Sequence, residues 1–147
     1  MTTPLERVTA RIAPFLDDGL CRPRPLLTLE EFFDGNDVVG SILCNVTILT
    51  DGVPDSPTPQ QVRDVLETIR SRDDVDDVRV AVAMVDDPGW PFAEEVLVVT
   101  DATADEVCAW FPEAMAPDDV LDLDPERLSG FEPLDRQDGR VVLCWWD

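Results

Sequence analysis

Carboxylates are the most abundant groups in this sequence that could transfer protons or bind a cation, and no imidazole or amine side chain accompanies them. The chain has 32 Asp and Glu, no histidine and no tyrosine, and all of its 11 basic residues are arginine. Without His or Lys, a Ser–His or Cys–His nucleophile pair, a Schiff base and a P-loop are impossible. Two carboxylates at a suitable separation suffice for glycosidase-type hydrolysis, so a carboxylate-dependent hydrolase stays open.

One compact run of polar residues could bind a hard cation weakly. Asp34, Asn36 and Asp37 place oxygen ligands around a glycine, and hard cations prefer such oxygens. An Asx-type turn leading into a strand explains the same residues. The turn is the favoured interpretation, and we expect no resident metal.

The 4 cysteines lie far apart and include no C-x-x-C pair. This spacing argues against zinc, iron–sulfur and thioredoxin-like chemistry, so reduced and mostly buried thiols are expected. Cys44 is followed by Asn45, but the sequence offers no base to lower the thiol pKa. Core packing is therefore favoured for Cys44, and we expect no catalytic residue and no cofactor.

Two pairs of aromatic residues are the candidate contact residues for a partner or ligand. Trp90 and Phe92 lie in an expected hairpin loop, where they form either a contact hot spot or a lid folded back on the core. Trp145 and Trp146 end the last expected strand, and neighbouring strand residues point to opposite faces of a sheet. One of these two tryptophans should therefore lie beneath the helices, and the other should lie on the second face.

The net charge of −21 at pH 7 restricts the kinds of partner. Such a field repels nucleic acid phosphates and anionic lipid headgroups, which argues against a nucleic acid or membrane partner. A basic protein partner would be attracted, with an on-rate that falls as salt rises. Solubility alone is an alternative explanation of the acidity. No signal-peptide pattern or long apolar stretch is present, so a cytoplasmic location is expected.

Helix starts are marked by a hydroxyl followed three residues later by a carboxylate or amide, the spacing of a capping box. Such boxes begin at Thr3, Thr28, Thr58 and Thr103. The apolar positions that follow each box repeat at helical spacing. The first helix is expected to end near Gly19.

Four β-rich runs alternate with the last two of these helices, at residues 41–49, 77–85, 94–100 and 140–146. The order from residue 41 onwards is β-α-β-β-α-β, which predicts an α+β fold of the ferredoxin-like sandwich type, preceded by two N-terminal helices. At this length one domain, residues 1–147, is expected. A sheet of this kind leaves one face free, and the N-terminal helix pair is the favoured cover, ahead of a homodimer partner or an apolar ligand.

Several motifs together resemble a known group of proteins. These are the run Leu27-Thr-Leu-Glu-Glu-Phe-Phe-Asp-Gly-Asn-Asp37 followed by Gly-Ser-Ile and Cys-Asn, the tract from Val78 to Trp90-Pro-Phe92, and the final Trp-Trp-Asp. They are similar to an uncharacterised family of small acidic proteins from high-GC bacteria, so the resemblance implies no activity. Some members resemble the acidic immunity proteins that neutralise polymorphic toxins.

These observations favour a non-catalytic, acidic protein-binding domain, with neutralisation of a basic toxin as its most concrete form. The alternative is a dimeric, ferredoxin-like module that binds a small ligand or has a regulatory role. The carboxylate-dependent hydrolase is the third hypothesis.

Overall fold

The computed structural model describes residues 2–85, 89–134 and 140–147. It is a mixed α+β structure in which most strands belong to one antiparallel sheet. None of the helices in these described ranges is long and apolar enough to cross a membrane. The helices are α1 Pro4–Ile12, α2 Leu29–Phe33, α3 Pro59–Arg70, α4 Ala104–Ala109 and α5 Pro125–Leu128.

The expected capping boxes are present at the starts of α1, α2, α3 and α4. In each, the threonine hydroxyl accepts a hydrogen bond from the backbone N–H three residues on, and the Glu or Gln there accepts one from the threonine N–H. These reciprocal bonds satisfy two backbone donors that a helix start otherwise leaves unpaired. The four helix starts predicted from the sequence are confirmed.

The end predicted for the first helix is wrong. Helix α1 ends at Ile12, a short 3₁₀ turn follows, and the chain then forms a hairpin between β1 (Leu16–Asp17) and β2 (Leu20–Cys21). Asp18 and Gly19 have φ values of 53° and 82°. Positive φ at both central residues is the geometry of a type I′ hairpin turn, for which Asp-Gly is a preferred pair.

Besides β1 and β2, the main sheet contains β3 Leu26–Leu27, β6 Val75–Met84, β7 Phe92–Thr100, β8 Asp119–Asp122 and β9 Val141–Trp145. The strand order is β1-β2-β6-β7-β9-β8, and β3 also pairs with β6. All pairings in it are antiparallel. The three longest strands correspond to three of the four predicted β-rich runs.

The predicted first strand, residues 41–49, does not form. The chain touches β7 there through one isolated bridge between Ile42 and Ala93, and it then turns at Leu43, whose φ is 56°. A small separate hairpin follows, made of β4 (Ile48–Thr50) and β5 (Val53–Asp55). The alternation of apolar residues that suggested a strand is interrupted by this left-handed residue, which reverses the chain direction.

The ferredoxin-like topology is not confirmed, and the number and order of the helices also differ from the prediction. That topology places the first and third strands at the centre of the sheet. In this protein, β7 corresponds to the predicted third strand, and its neighbours are β6 and β9. Strand β9 therefore lies where a first strand is required. The stretch after α4 adds strand β8 beside it.

Helices α1 to α4 cover one face of the main sheet and enclose the first core. This core combines buried residues from the sheet with the apolar stripes of the helices. Its members include Val78, Val80, Val82, Val96, Val98, Val142 and Cys144 from the sheet and Val8, Ile12, Leu29, Phe32, Phe33, Val62, Leu66, Ile69 and Val107 from the helices.

The opposite face carries the second core, and its cover was predicted wrongly. The segment 123–134, which contains α5, packs Leu123 and Phe131 against this face, whereas the N-terminal helices belong to the first core. The sheet contributes Ala81, Leu97, Val99, Val141 and Leu143. The cover is intramolecular as expected, but a different segment supplies it, so the face that was considered for a homodimer is occupied by the chain itself.

Arg11 connects the segment 123–134 to the N-terminal helices through hydrogen bonds. Its guanidinium donates hydrogen bonds to Glu31 (2.9 Å), to Glu132 (2.5 Å) and to the carbonyl of Leu26 (3.2 Å). Burial alone would lower the pKa of Arg11, but the hydrogen bonds and charges of Glu132 and Glu31 outweigh that effect and raise it. The network joins α1, α2, β3 and the segment 123–134.

Candidate functional site

Two of the predicted contact residues line a cavity of about 300 Å³ at the start of β7. Trp90 and Phe92 line one side of it, and Met84 lines it from the end of β6. Val39, Ser41 and Cys44 complete it from the loop that follows α2. No charged side chain lines this cavity within the described part of the chain, although the protein as a whole carries 32 acidic residues.

Trp90 is buried, with 3% of its surface exposed. Its indole Nε1–H is shielded from solvent and has no hydrogen-bond acceptor among residues 2–85, 89–134 and 140–147. A buried donor without an acceptor carries a desolvation penalty of about 1–3 kcal/mol. Such unpaired buried donors are rare in folded proteins.

Trp90 and Phe92, predicted as partner or ligand contacts, do lie together. Both line the cavity, with Trp90 buried and Phe92 half-buried. Of the expected hairpin loop that carries them, Asp86, Asp87 and Pro88 lie outside the described residues. The aromatic pair does not project from a loop tip as a free hot spot, because most of its surface faces the domain.

The cavity wall opposite these aromatic residues is fixed by Asn36, which is 1% exposed. The Asn36 side-chain amide donates to the hydroxyl of Ser41 (3.1 Å) and to the carbonyl of Phe32 (3.3 Å). Its side-chain oxygen accepts from the N–H of Val38 (3.0 Å), the i to i+2 pattern of an Asx turn. The amide therefore holds the loop between α2 and the cavity in one conformation.

Cys44 lies at the mouth of the cavity rather than in the core. It is exposed, which contradicts the expected core packing of this residue. The N–H of Val46 donates to the carbonyl of Leu43 (3.0 Å), which closes a tight turn around Cys44 and Asn45. Leu43 itself is buried, so the turn directs its leucine inward and leaves the thiol outside.

The residues considered for a weak cation have other partners. Asp34 accepts a hydrogen bond of 2.8 Å from Arg63, and the Asn36 oxygen is used by the Asx turn. Asp37 is exposed. No group of His, Cys, Asp or Glu able to hold a metal ion occurs among the described residues.

The two tryptophans near the end of β9 point to opposite faces. Trp146 is 3% exposed and belongs to the first core, where its Nε1–H donates to the carbonyl of Met115 (2.9 Å) and its ring meets Phe111 edge-on at 5.4 Å. Trp145 is half-buried. Of this pair, only Trp145 keeps surface that another molecule could contact.

A second candidate surface was not anticipated, the small hairpin β4–β5. Leu49 is 73% exposed and Val53 62% exposed, and their positions in the register put them on opposite faces of the hairpin. Asp51 lies at its turn, and Asp55 ends it. We call these four residues the hairpin tip. Because apolar side chains are exposed on both faces, the tip projects from the domain.

Asp51 and Gly52 have φ values of 53° and 79°, again the type I′ geometry. The Asp-Gly pair between short apolar runs is the sequence signal that could have identified this hairpin. The strand expected at residues 41–49 ended within the first strand of this hairpin, so the turn and the second strand were not predicted.

Most arginines are already neutralised by carboxylates within the domain. The ion-paired arginines are Arg11, Arg24, Arg63, Arg70, Arg72, Arg79 and Arg140. Asp51 and Asp55 take part in no ion pair with the described residues. The excess negative charge is therefore left on carboxylates such as these two.

A groove between α1 and α2 brings three carboxylates together. Glu30, Glu31 and Asp34 line it, and each forms an ion pair with an arginine, respectively Arg70, Arg11 and Arg63. Carboxylates held in this way act as acceptors for arginine, which is a structural role. The groove offers no pair of unengaged acids of the kind that hydrolysis requires.

Among the described residues, the chain is a mixed α+β protein whose candidate sites are the cavity at the start of β7 and the projecting acidic hairpin β4–β5. Residues 3–138 match the family described as "Uncharacterized protein YfbO family", and the chain belongs to this family. It is 41% identical to the Escherichia coli (strain K12) protein described as "Uncharacterized protein YfbO", over 154 aligned positions that cover 99% of each chain. No solved structure matches the chain.

Proposed function

We propose that this protein is a non-catalytic binding protein that contacts a basic protein partner through the hairpin tip. The observation that carries the proposal is the exposure of Leu49 and Val53 beside Asp51 and Asp55, which have no ion-pair partner in the described structure. Exposed apolar side chains at a projecting site are typical of interaction surfaces. The adjacent carboxylates give the surface a preference for a cationic partner.

The charge of the whole chain supports the same partner chemistry. A net charge of −21 attracts a basic protein over distances of about a Debye length, roughly 8–10 Å in physiological salt. It disfavours nucleic acid and anionic membranes. Charge of this kind accelerates association, whereas the apolar contacts slow dissociation.

The most concrete version of the proposal is an immunity-type protein that neutralises a basic toxin in the cytoplasm. A projecting hairpin reaches into a concave basic site on a partner, and its acidic side chains occupy the positions that an anionic substrate would otherwise take. In this version, the partner surface that contacts the hairpin tip must be positively charged.

The test is site-specific photo-crosslinking in the producing cell, with the photoreactive residue at position 49 and, as the matched control, at position 20. Leu20 is also exposed, at 37%, and lies in the other hairpin. We expect an adduct from position 49 and none from position 20, and mass spectrometry should identify a protein with net positive charge. An adduct of equal yield at both positions, or an acidic partner, would contradict the proposal.

The purified partner then allows a charge test. The double variant D51N/D55N should lower the association rate several-fold at low salt and lose this difference at high salt. The control D73N/D76N removes the same charge at exposed positions outside the hairpin. Equal effects of the two double variants would show that overall charge, rather than the hairpin tip, determines binding.

A further inference from the structure

The hairpin β4–β5 is a two-stranded sheet of its own, and among the described residues it pairs with no strand of the main sheet. Two strands alone are marginally stable in water, and a third strand stabilises such a sheet. We infer that an extended segment of the basic partner binds along the outer edge of β4 and supplies this third strand. The added strand rests on the proposed function, because the hairpin tip is taken as the contact site.

The register of the hairpin decides which backbone groups point outward. Thr50 pairs with Val53 across the two-residue turn, and Leu49 pairs with Pro54. Opposed residues of an antiparallel pair alternate between hydrogen-bonded and non-hydrogen-bonded positions. The turn is closed by a hydrogen bond between Thr50 and Val53, so the next pair is a non-hydrogen-bonded one, which suits Pro54 because proline has no N–H. The N–H and C=O of Leu49 therefore point away from β5.

The two edges of the hairpin differ in what they offer to another strand. On β5, the outward position is Pro54, which has no donor, and the N–H of Ser56 that follows donates to the Asp55 carboxylate (2.8 Å). On β4, neither outward group of Leu49 has a hydrogen-bond partner within the described part of the chain. Proline on an edge strand prevents the pairing of a further strand. Of the two edges, β4 therefore accepts an added strand.

The side chains along this edge determine the chemistry of the added segment. Leu49 is exposed, so an apolar residue directly opposite it would bury apolar surface. Val53 and Asp55 lie on the other face of the hairpin, because successive strand residues alternate between faces. They are about 10 Å from an added strand, since neighbouring strands lie about 4.8 Å apart. This distance is roughly a Debye length in physiological salt, so basic residues on that face are attracted by Asp55.

The expected segment therefore has the order basic–apolar–basic, with its apolar residue opposite Leu49. Extended peptides that add to a sheet edge gain affinity from main-chain hydrogen bonds and specificity from alternate side chains. Both terms are available at β4, the first from the Leu49 backbone and the second from the exposed leucine and the acidic face.

A second copy of this chain is the other strand that could add to β4, and charge disfavours it. Each copy carries a net charge of −21, and self-pairing at β4 would bring the carboxylates Asp51 and Asp55 of both copies together. Like charges on neighbouring strands are destabilising. A cationic segment is attracted by the same carboxylates, so the occupant is a basic partner.

The test combines photo-crosslinking from position 53 in the producing cell with substitutions at position 49. Leu49→Ala shortens the side chain and keeps the outward N–H, whereas Leu49→Pro keeps about as much side chain and removes the N–H. We expect the partner adduct to fall several-fold in Leu49→Ala and about tenfold further in Leu49→Pro, the effect of one lost hydrogen bond. The crosslinked partner peptide, sequenced by mass spectrometry, should show the order basic–apolar–basic.

The matched control is Pro54→Ala, which adds an N–H to the edge that the partner does not use. It should leave the adduct yield unchanged. In chains without the photoreactive residue, a cross-strand NOE between the N–H groups of Thr50 and Val53 shows that the hairpin is intact. Leu49→Pro should keep this NOE, because proline is tolerated where the N–H points outward from an edge strand.

Hydrogen exchange of the unmodified protein provides a measurement that needs no substitution. The purified partner should slow exchange of the Leu49 N–H at least tenfold, because this group gains an acceptor. Gly19, at the turn of the other hairpin, should be unaffected.

Equal adduct yields in Leu49→Pro and Leu49→Ala, or unchanged exchange at Leu49 with the partner bound, would overturn the added strand and leave the proposed function intact. Capture of a second copy of this chain in place of a basic protein, or no adduct from the unmodified chain, would overturn both. The two failures are therefore distinguishable.

Discussion

The indole of Trp146 donates a 2.9 Å hydrogen bond to the carbonyl of Met115, so β9 is joined to the turn that follows α4. Both residues are buried, and Trp146 also packs edge-on against Phe111. This bond satisfies a donor and an acceptor that would otherwise be unpaired inside the first core.

Replacing Trp146 by Phe should lower the free energy of unfolding by about 2 kcal/mol, because the Met115 carbonyl loses its partner and the smaller ring leaves a gap. Urea denaturation followed by circular dichroism measures the change. Trp145→Phe, at a half-buried position, should cost about 0.5 kcal/mol. Equal losses in the two variants would contradict the different burial of these residues.

Gly35 is required by its conformation and by its closeness to Pro4. Its φ is +75°, and an added Cβ would lie 2.5 Å from the Cβ and Cγ atoms of Pro4. Gly35→Ala should therefore destabilise the protein by about 3 kcal/mol, from backbone strain and overpacking together. Gly52 has a similar φ of +79° but open space around it, so Gly52→Ala should cost only about 1 kcal/mol. Thermal and urea unfolding of both variants should separate the cost of backbone strain from the cost of overpacking.

Asp74 should titrate at a lower pH than an ordinary aspartate. The hydrogen bond from Arg72, opposed only in part by desolvation, lowers the pKa of the Asp74 carboxyl below its ordinary value. A lowered pKa in the folded state contributes stability above the pKa of the unfolded chain, and this is lost as pH falls through the folded pKa. Carboxyl NMR titration should show the low midpoint, and Arg72→Gln should raise it. An unchanged midpoint in that variant would exclude Arg72 as the cause.

Three of the cysteines should divide into one accessible and two protected thiols. Cys44 is exposed, whereas Cys21 and Cys144 are buried, and burial raises the pKa of both buried thiols. Because the thiolate is the reactive form, iodoacetamide should modify Cys44 rapidly in the native protein and the buried pair only after unfolding. Peptide mass spectrometry identifies the sites, and Cys44→Ser should remove the fast phase. Fast modification of Cys144 in the folded protein would contradict its burial.

The helix starts could be predicted from the sequence because a capping box is a local device. Thr3, Thr28, Thr58 and Thr103 each make their bonds within three residues, so no tertiary context is needed to form them. The longest strands were predictable for a similar reason, since their apolar content extends over nine or ten residues in β6 and β7.

The missed topology depends on single residues whose conformation the sequence does not reveal. Leucine disfavours positive φ, so the residue type at position 43 does not predict the turn that replaces the expected first strand. The turns at Asp18–Gly19 and Asp51–Gly52 were recognisable in principle, because Asp-Gly favours type I′ geometry. Strand β8 is only four residues long and lies within an acidic stretch, which obscured it.

The candidate site was predicted in part. The sequence singled out Trp90 and Phe92, and the structure brings them together in one cavity. It did not associate them with Cys44 or Val39, because that contact joins two loops about fifty residues apart in the chain, and periodicity carries no information about such distances. The hairpin tip was missed because the predicted strand ended at Leu49 and no element was predicted for the three residues that complete the tip.

Strand β9 lies between β7 and β8 although it follows both in the chain. During synthesis on the ribosome, β7 therefore emerges with one edge unpaired, and β8 has no neighbouring strand to join until β9 is made. A nascent chain paused before β9 would expose backbone hydrogen-bonding groups and apolar surface from both cores. Such an intermediate is prone to aggregate, so we expect the cell's chaperones to be needed most during this interval.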